Sequence, residues 1–163
     1  TVLDKLEALE EQFSKCERAL AKWLQVKRQR FPRFYFLSDA ELAVIMSTGP
    51  VSPKMVTRYL HRIIKGAYSL IYATRMTASG NEVLGIMSSD DEAVMFDEEV
   101  GFQTNGLADM CIWFSDLVQK MQQAMESALF NATRRADGSL NPQDEVIKES
   151  VQIDAVVMHV MWT

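Results

Sequence analysis

The fold is decided by residues 27–45, which read KRQRFPRFYFLSDAELAVI and lie between two helical patterns. Lys27, Arg28 and Arg30 close the first pattern, and cations suit the negative end of a helix macrodipole. Pro32 follows at once, and proline both lacks an N–H and disfavours helical geometry at the residue before it. The sequence therefore predicts that a long helix ends at about residue 30.

A second helix is predicted to begin a few residues later. Ser38 and Glu41 have the spacing of a capping box, in which each side chain satisfies a main-chain N–H of the other residue. Leu37 and Leu42 flank this pair at the positions of a hydrophobic staple, which fixes the direction of the chain as it enters the helix. We therefore expect the second helix to leave the corner at a defined angle.

Four aromatic residues occur within six positions between these helices. A buried aromatic side chain removes about 150 to 250 Å² from water, so we expect this corner to anchor the local core. The same aromatic run beside cations could also be a stacking platform for nucleic acid bases, but the acidic charge balance disfavours that function. We predict a structural join formed by Phe31, Pro32, Phe34, Tyr35, Phe36, Ser38 and Glu41.

The first 30 residues carry one apolar stripe at alternating spacings of three and four. This spacing is typical of an amphipathic helix in a bundle or a coiled coil. The stripe consists of Leu6, Leu9, Phe13, Cys16, Leu20 and Trp23.

The remaining patterns predict a mainly α fold, an elongated helical-bundle segment with a small inserted antiparallel β-hairpin. The hairpin is expected over about residues 83–96, with Val83 to Met87 pairing with Ala93 to Phe96, and a further short strand within Ser69 to Met76. The helices are expected at about residues 3–30, 39–48, 53–65, 107–133 and 142–162.

Length and composition indicate one globular unit. The 163 residues are 48% hydrophobic and 24% charged, and the formal net charge is −5. This acidic balance argues against nucleic acid or an anionic membrane as a partner. Cys16 and Cys111 lie on apolar stripes, which predicts buried, reduced thiols. A first residue other than Met suggests a segment of a longer polypeptide.

The sequence contains no motif that predicts catalysis. It has no GxxxxGK[ST] phosphate loop and no dinucleotide-binding glycine pattern. His61 and His159, with the two cysteines, match no zinc spacing, so we expect no metal and no cofactor in this segment. Asp90, Asp91 and Glu92 begin an acidic patch, which is either a solvated turn or a contact surface. The segment is therefore predicted not to be an enzyme.

The run KRxxFPRFYFLSDxELxxI, after a long charged helix, closely resembles the linker of dynein heavy chains. The linker is the mechanical arm that crosses the ring of AAA+ modules in that motor. The resemblance extends through residues 82–96, 105–125 and 155–163, which are similar to the family's hairpin, its N-V-E-x-W-L helix and its closing W-T motif. The chain departs from the family at Asp90 and Asp91, which replace a glycine in the hairpin turn, and over residues 48–75.

This resemblance implies a lever function. The linker bends and straightens as the ring turns over ATP, so the implied partners are the AAA+ ring of the same polypeptide, microtubules through the parent motor, and other dynein chains. ATP and Mg²⁺ would belong to the ring. The implied location is the cytoplasm and cytoskeleton, with the Leu-Ser-Asp corner favouring a ciliary or flagellar axoneme.

Reversible docking on the ring requires surfaces whose contacts differ between two states. The candidate ring contacts are Lys27, Arg28, Arg30, Arg33, Asp90, Asp91 and Glu92. The alternative interpretation is a static helical scaffold or adaptor of a large cytoskeletal assembly, in which the same helices serve only as a binding surface.

Overall fold

The computed structural model describes residues 2–48, 53–73, 82–101 and 109–136. Within these ranges the elements are α1 (Val2–Arg30), α2 (Asp39–Thr48), α3 (Leu60–Ile63), β1 (Ser69–Tyr72), β2 (Val83–Met87), β3 (Ala93–Val100) and α4 (Met110–Ala136). Short 3-10 helices cover Pro32–Phe36 and Pro53–Tyr59. A mainly α fold with a small antiparallel sheet is thus confirmed.

Within the described residues, helix α1 is anchored to the core only near its C-terminal end. Leu24 is fully buried, whereas five members of the predicted stripe keep between 45% and 69% of their surface exposed. These five are Leu6, Leu9, Phe13, Leu20 and Trp23. Cys16 is exposed as well, so the expectation of a buried thiol at this position was wrong. The amphipathic spacing is present, but the described part of the chain does not cover it.

The segment after α2 differs from its prediction. A single α-helix was expected over residues 53–65, but a 3-10 helix runs from Pro53 to Tyr59 and the α-helix covers only Leu60–Ile63. The β-branched pair Val56 and Thr57 lowers the α propensity of this segment. The helix ends at Ile63, and Gly66 in the turn that follows has a φ of +89°, a value that glycine adopts without steric cost.

The three strands form one antiparallel sheet in the order β1-β2-β3, which confirms the predicted hairpin and adds the further strand. Strand β2 is central and its side chains are buried or half-buried. Gly85 is required there, because a Cβ atom at that position would lie 2.5 Å from the Val94 carbonyl oxygen. β3 extends to Val100, four residues beyond the predicted end.

The turn between β2 and β3 has Asp91 in a left-handed conformation that glycine would adopt more easily. Asp91 adopts a φ of +58°, in the left-handed region that Asp and Asn tolerate better than other side chains. The Ser88 hydroxyl accepts hydrogen bonds from the N–H groups of Asp90 and Glu92, both at 3.2 Å. The main-chain N–H of Ser88 donates to the Glu92 carbonyl at 2.9 Å, which closes the turn.

Helix α4 begins at Met110, not at residue 107, because Asp109 is its N-cap and is not helical. The helix packs against β3 and ends at Ala136, three residues later than predicted. Met110, Cys111, Phe114 and Leu117 join the corner, the first strands and the short helices in one buried cluster. The predicted helix over 142–162 and the residues of Ser69 to Met76 beyond 73 lie outside the described residues.

We expect Leu24 and Leu20 to respond very differently to truncation. Leu24→Ala removes a fully buried side chain from the end of α1 and should lower the free energy of unfolding by about 2 to 5 kcal/mol. Leu20→Ala, one turn earlier and 48% exposed, should change it by less than about 1 kcal/mol. Urea unfolding of the two variants compares them, and equal losses would contradict the described anchoring of α1.

Candidate functional site

The aromatic corner is only half buried, and the buried half contacts α4. Phe34 is completely buried and Phe31 nearly so, whereas Tyr35 and Phe36 are 56% and 71% exposed. The 3-10 helix over Pro32–Phe36 explains this division, since three residues per turn place residues 31 and 34 on the same side of the chain. Pro32 is exposed on the outer side.

Phe114 is the residue of α4 that enters the corner. Its ring lies 5.8 Å from the ring of Phe31 in a stacked arrangement and 5.5 Å from that of Phe34 edge to face. Phe31 and Phe34 also contact each other edge to face at 4.7 Å, and Trp113 packs on Phe114 at 5.0 Å. Aromatic pairs at such separations are each worth about 0.5 to 1.5 kcal/mol beyond the burial of their area.

The predicted capping box is formed. Glu41 accepts hydrogen bonds from the main-chain N–H of Ser38 at 3.0 Å and from its hydroxyl at 2.9 Å, and the Glu41 N–H donates to Ser38 Oγ at 3.3 Å. The hydrogen bonds from Ser38 lower the pKa of Glu41, and the nearby Arg62 guanidinium lowers it further. Leu37 and Leu42 are both buried, as the staple requires.

Arg28, in the last turns of α1, contacts main-chain and side-chain acceptors of the aromatic corner. Its guanidinium donates to the Leu37 carbonyl at 3.0 Å and to that of Phe34 at 3.5 Å, and it pairs with Asp39 at 2.7 Å. Arg33 performs a similar task further along the chain, because it donates to the Ile63 carbonyl at 3.2 Å, at the end of α3. These two cations therefore donate to main-chain carbonyls of the 3-10 turn, of the residue after it and of the end of α3; the Phe34 carbonyl also accepts the Leu37 N–H at 3.1 Å.

Lys27 and Arg30, in the last turn of α1, both contact Asp109, the N-cap of α4. Arg30 Nη1 lies 2.8 Å from one carboxylate oxygen and Lys27 Nζ lies 3.4 Å from the other. The same carboxylate accepts the N–H of Cys111 at 3.0 Å. Cations at a helix C-terminus and a carboxylate at a helix N-terminus are each favoured by the helix dipole, so this contact ties two helix ends together.

The electrostatic surroundings fix the protonation of Asp109 and Cys111. Partial burial would raise the pKa of Asp109, but the hydrogen bond from the Cys111 N–H and the Lys27 charge outweigh it, so the pKa is lowered. Burial raises the pKa of the Cys111 thiol to about 11, and the Asp109 carboxylate adds to that shift. Cys111 is therefore a protonated packing thiol, as predicted.

The two groups of candidate ring contacts occupy different surroundings. Lys27, Arg28, Arg30 and Arg33 contact acceptors of this chain, as described above. Asp90 and Asp91 are exposed at the hairpin turn, and Glu92 is half-buried beside them. Two further acidic residues, on β3, contact α4: Glu98 pairs with Lys120, and Asp97 accepts a hydrogen bond from Ser127 at 3.4 Å.

The described ranges contain no group of three His, Cys, Asp or Glu side chains that could hold a metal ion. His61 is exposed, and His159 lies outside those ranges. None of the described helices is long and apolar enough to span a membrane.

Comparison with known sequences places the chain. Residues 1–132 match the family described as dynein heavy chain, N-terminal region 2. The chain belongs to the dynein heavy chain family. It is 29% identical to dynein axonemal heavy chain 17 of Homo sapiens, over 98% of this chain. It is 30% identical to the ciliary dynein beta chain of Tripneustes gratilla, also over 98% of this chain.

A cytoplasmic member of the dynein heavy chain family matches as well. Cytoplasmic dynein 2 heavy chain 1 of Mus musculus is 27% identical over 87% of this chain. The chain spans about 4% of the length of the Homo sapiens and Tripneustes gratilla relatives and 3% of the Mus musculus one.

Sequence reasoning missed Asp109, which links the end of α1 to the start of α4. An Asp just before an apolar stripe is a typical N-cap, and that signal was available. Its pairing with Lys27 and Arg30 was not, because about 80 residues separate the partners. Phe114 lies within the predicted helix over residues 107–133, but its position inside the corner depends on the same long-range contact.

Asp109→Asn should weaken the protein in a pH-dependent way. Asn keeps a capping oxygen but removes the charge. Because the pKa of Asp109 is lowered by folding, its stabilising effect is present above about pH 4 and is lost as the pH falls through the folded value. Urea unfolding at pH 7 and pH 3 should therefore show a difference between wild type and variant that shrinks in acid. A difference independent of pH would contradict the ion pairs.

The two cysteines should differ in reactivity. Cys16 is exposed and Cys111 is buried with a raised pKa, so a maleimide at pH 7 should modify Cys16 alone in the folded protein. Mass spectrometry of the labelled peptides, with and without urea, measures this. Equal labelling of both thiols before unfolding would contradict the burial of Cys111 at the start of α4.

Proposed function

We propose that this chain is a segment of the mechanical linker of a dynein heavy chain, which transmits ATP-driven changes of the AAA+ ring into a power stroke along microtubules. The observation that carries the proposal is the family match over residues 1–132, together with a join built to resist bending. The ATPase activity would reside in the ring of the parent motor, which also holds ATP and Mg²⁺, and this segment would bind neither.

The geometry of the join suits a lever. Helices α1 and α4 have 29 and 27 residues, and their ends meet at Asp109. A hinge would be expected to place small residues and few contacts at such a point. Instead, the aromatic cluster of Phe31, Phe34 and Phe114 lies beside two ion pairs. Rotation of one helix against the other would have to break both sets of contacts.

The proposed partners are the AAA+ ring of the same polypeptide, microtubules through the parent motor, and other dynein chains. The relatives named axonemal or ciliary support a place in the axoneme of a cilium or flagellum, within the cytoskeleton. The acidic residues Asp90, Asp91 and Glu92 are the stronger candidates for ring contact, since the four cations already have acceptors within this chain. The cations keep that role only if docking replaces those contacts.

Phe34 offers a direct test of force transmission, with Phe36 as a control of the same residue type. Phe34→Ala should leave a cavity at the join and cost about 3 to 5 kcal/mol locally, because the ring is fully buried. In the intact motor we expect it to slow microtubule gliding more than it slows ATP turnover. Phe36→Ala, at a position 71% exposed, should leave both rates near those of wild type.

The gliding and ATP-turnover assays also separate the lever from a static scaffold. A scaffold predicts that neither variant changes the ratio of gliding velocity to ATP turnover. An equal fall of both rates in Phe34→Ala would likewise count against a transmission role, because the ratio of gliding velocity to ATP turnover would then be unchanged. Release of the parent chain from microtubules by ATP provides the independent control that the chain under study is a motor.

A further inference from the structure

The turn between β2 and β3 places a serine directly before a run of acidic residues. Residues 88–92 read SSDDE, so the three residues that follow Ser89 are all carboxylic acids. Asp90 and Asp91 are exposed, and Glu92 is half-buried. Their charges give the turn a negative field, which attracts a positively charged binding surface. Ser89 therefore has the surroundings of a target for an enzyme whose peptide site is basic.

The hydroxyl of Ser89 is free to react, whereas that of the neighbouring serine is not. Ser89 is exposed in the turn, and its side chain makes no hydrogen bond with the described residues. Ser88 differs, because its oxygen accepts two main-chain N–H groups at 3.2 Å. An oxygen that accepts two hydrogen bonds has both lone pairs engaged. Of the two adjacent hydroxyls, only that of Ser89 can act as a nucleophile without opening the turn.

Ser38 has the same acidic spacing and provides a comparison within the chain. Asp39 follows it directly and Glu41 lies three residues after it, as Asp90 and Glu92 do for Ser89. The Ser38 hydroxyl, however, donates to Glu41 at 2.9 Å and accepts the Glu41 N–H at 3.3 Å. The acidic pattern thus occurs at both serines, but the hydroxyl of Ser38 is engaged in the capping box.

A cation lies on the other side of Ser89. Lys65 and Ser89 line the same cavity, which lies between the hairpin turn and the turn after α3. Lys65 is exposed, and it forms no ion pair with the described residues. A phosphoryl group on serine carries about −1.5 to −2 charges at pH 7 and has three acceptor oxygens. Lys65 offers such a group a counter-ion, which offsets repulsion from Asp90 and Asp91.

We propose that Ser89 is a phosphorylation site for a serine kinase that recognises acidic residues after its target. The Ser89 oxygen attacks the γ-phosphorus of ATP, and the bond from that phosphorus to the bridging oxygen breaks. ADP leaves, and the hydroxyl proton passes to the catalytic aspartate of the kinase. The site depends on the proposed function only in that a place in the cytoskeleton gives it access to ATP and protein kinases.

Mass spectrometry of the intact heavy chain tests the site. The chain is isolated from its own cells with phosphatase inhibitors, and its phosphopeptides are mapped before and after phosphatase treatment. The dephosphorylated chain is then incubated, still folded, with ATP and an acidic-directed serine kinase. We expect phosphate on Ser89 in the native chain, its loss with phosphatase and its return with the kinase. The initial rate at Ser89 should exceed that at Ser38 by about tenfold, since the capping box must open first.

Two variants of equal charge change test the acidic residues. Asp90→Asn removes an exposed carboxylate next to Ser89 and should lower the initial rate of phosphorylation there roughly fivefold. Asp116→Asn makes the same change of net charge at an exposed position of α4 and should leave that rate unchanged. A rate insensitive to Asp90→Asn would overturn the proposed recognition of the acidic run.

Ser89→Ala assigns the phosphate to one of the two adjacent serines. It should abolish modification of the hairpin peptide, and a phosphate retained there would lie on Ser88 and overturn the proposal. A native chain without phosphate on Ser89, or equal rates at Ser38 and Ser89, would overturn it as well. None of these results affects the lever, because the gliding and ATP-turnover assays of Phe34→Ala do not depend on the modification. Conversely, a parent chain that ATP does not release from microtubules would remove the lever and leave the mapped phosphate in place.

Discussion

The ring of Phe114 between Phe31 and Phe34 is the contact on which the rest of the structure depends. It joins the end of α1 to the start of α4 across about 80 residues of chain, and the cost of closing so long a loop must be met by the contacts made there. The sheet, α2 and α3 share the buried cluster that grows from this point. Without it, only the ion pairs of Lys27 and Arg30 with Asp109 would be left, among the contacts described, to hold the end of α1 against the start of α4.

Charged side chains around this apolar contact add to it, and each of them has a hydrogen-bond or ion-pair partner: Arg28, Arg33 and Asp109. Arg28 and Arg33 donate to three main-chain carbonyls, those of Phe34, Leu37 and Ile63. The Asp109 carboxylate accepts the Cys111 N–H at the start of α4, and it pairs with Lys27 and Arg30 at the end of α1. The polar contacts and the aromatic contacts of the corner thus favour the same arrangement of α1 and α4.

Local signals predicted most of the secondary structure. Pro32 and the Ser38–Glu41 pair placed the end of one helix and the start of the next correctly, because proline and capping act within a few residues. The segment from Pro53 was harder, since its apolar spacing suits both 3-10 and α helices. Which aromatics of the corner would be buried depended on the 3-10 turn, and neither Asp109 nor Phe114 could be assigned to the corner without knowing the long-range contact. The apolar stripe of α1 was predicted correctly as a pattern, but a pattern does not specify what covers it.

Because α1 is held near Leu24 and its other apolar residues are uncovered in the described part of the chain, it behaves mechanically as a cantilever. From Leu24 to Val2 the helix extends about 33 Å at 1.5 Å per residue. A transverse force applied at the free end produces its largest bending moment at the clamped end, where the aromatic rings and the Asp109 ion pairs lie. The strength of those few contacts, not the stiffness of the helix itself, therefore sets the torque that this arm can bear.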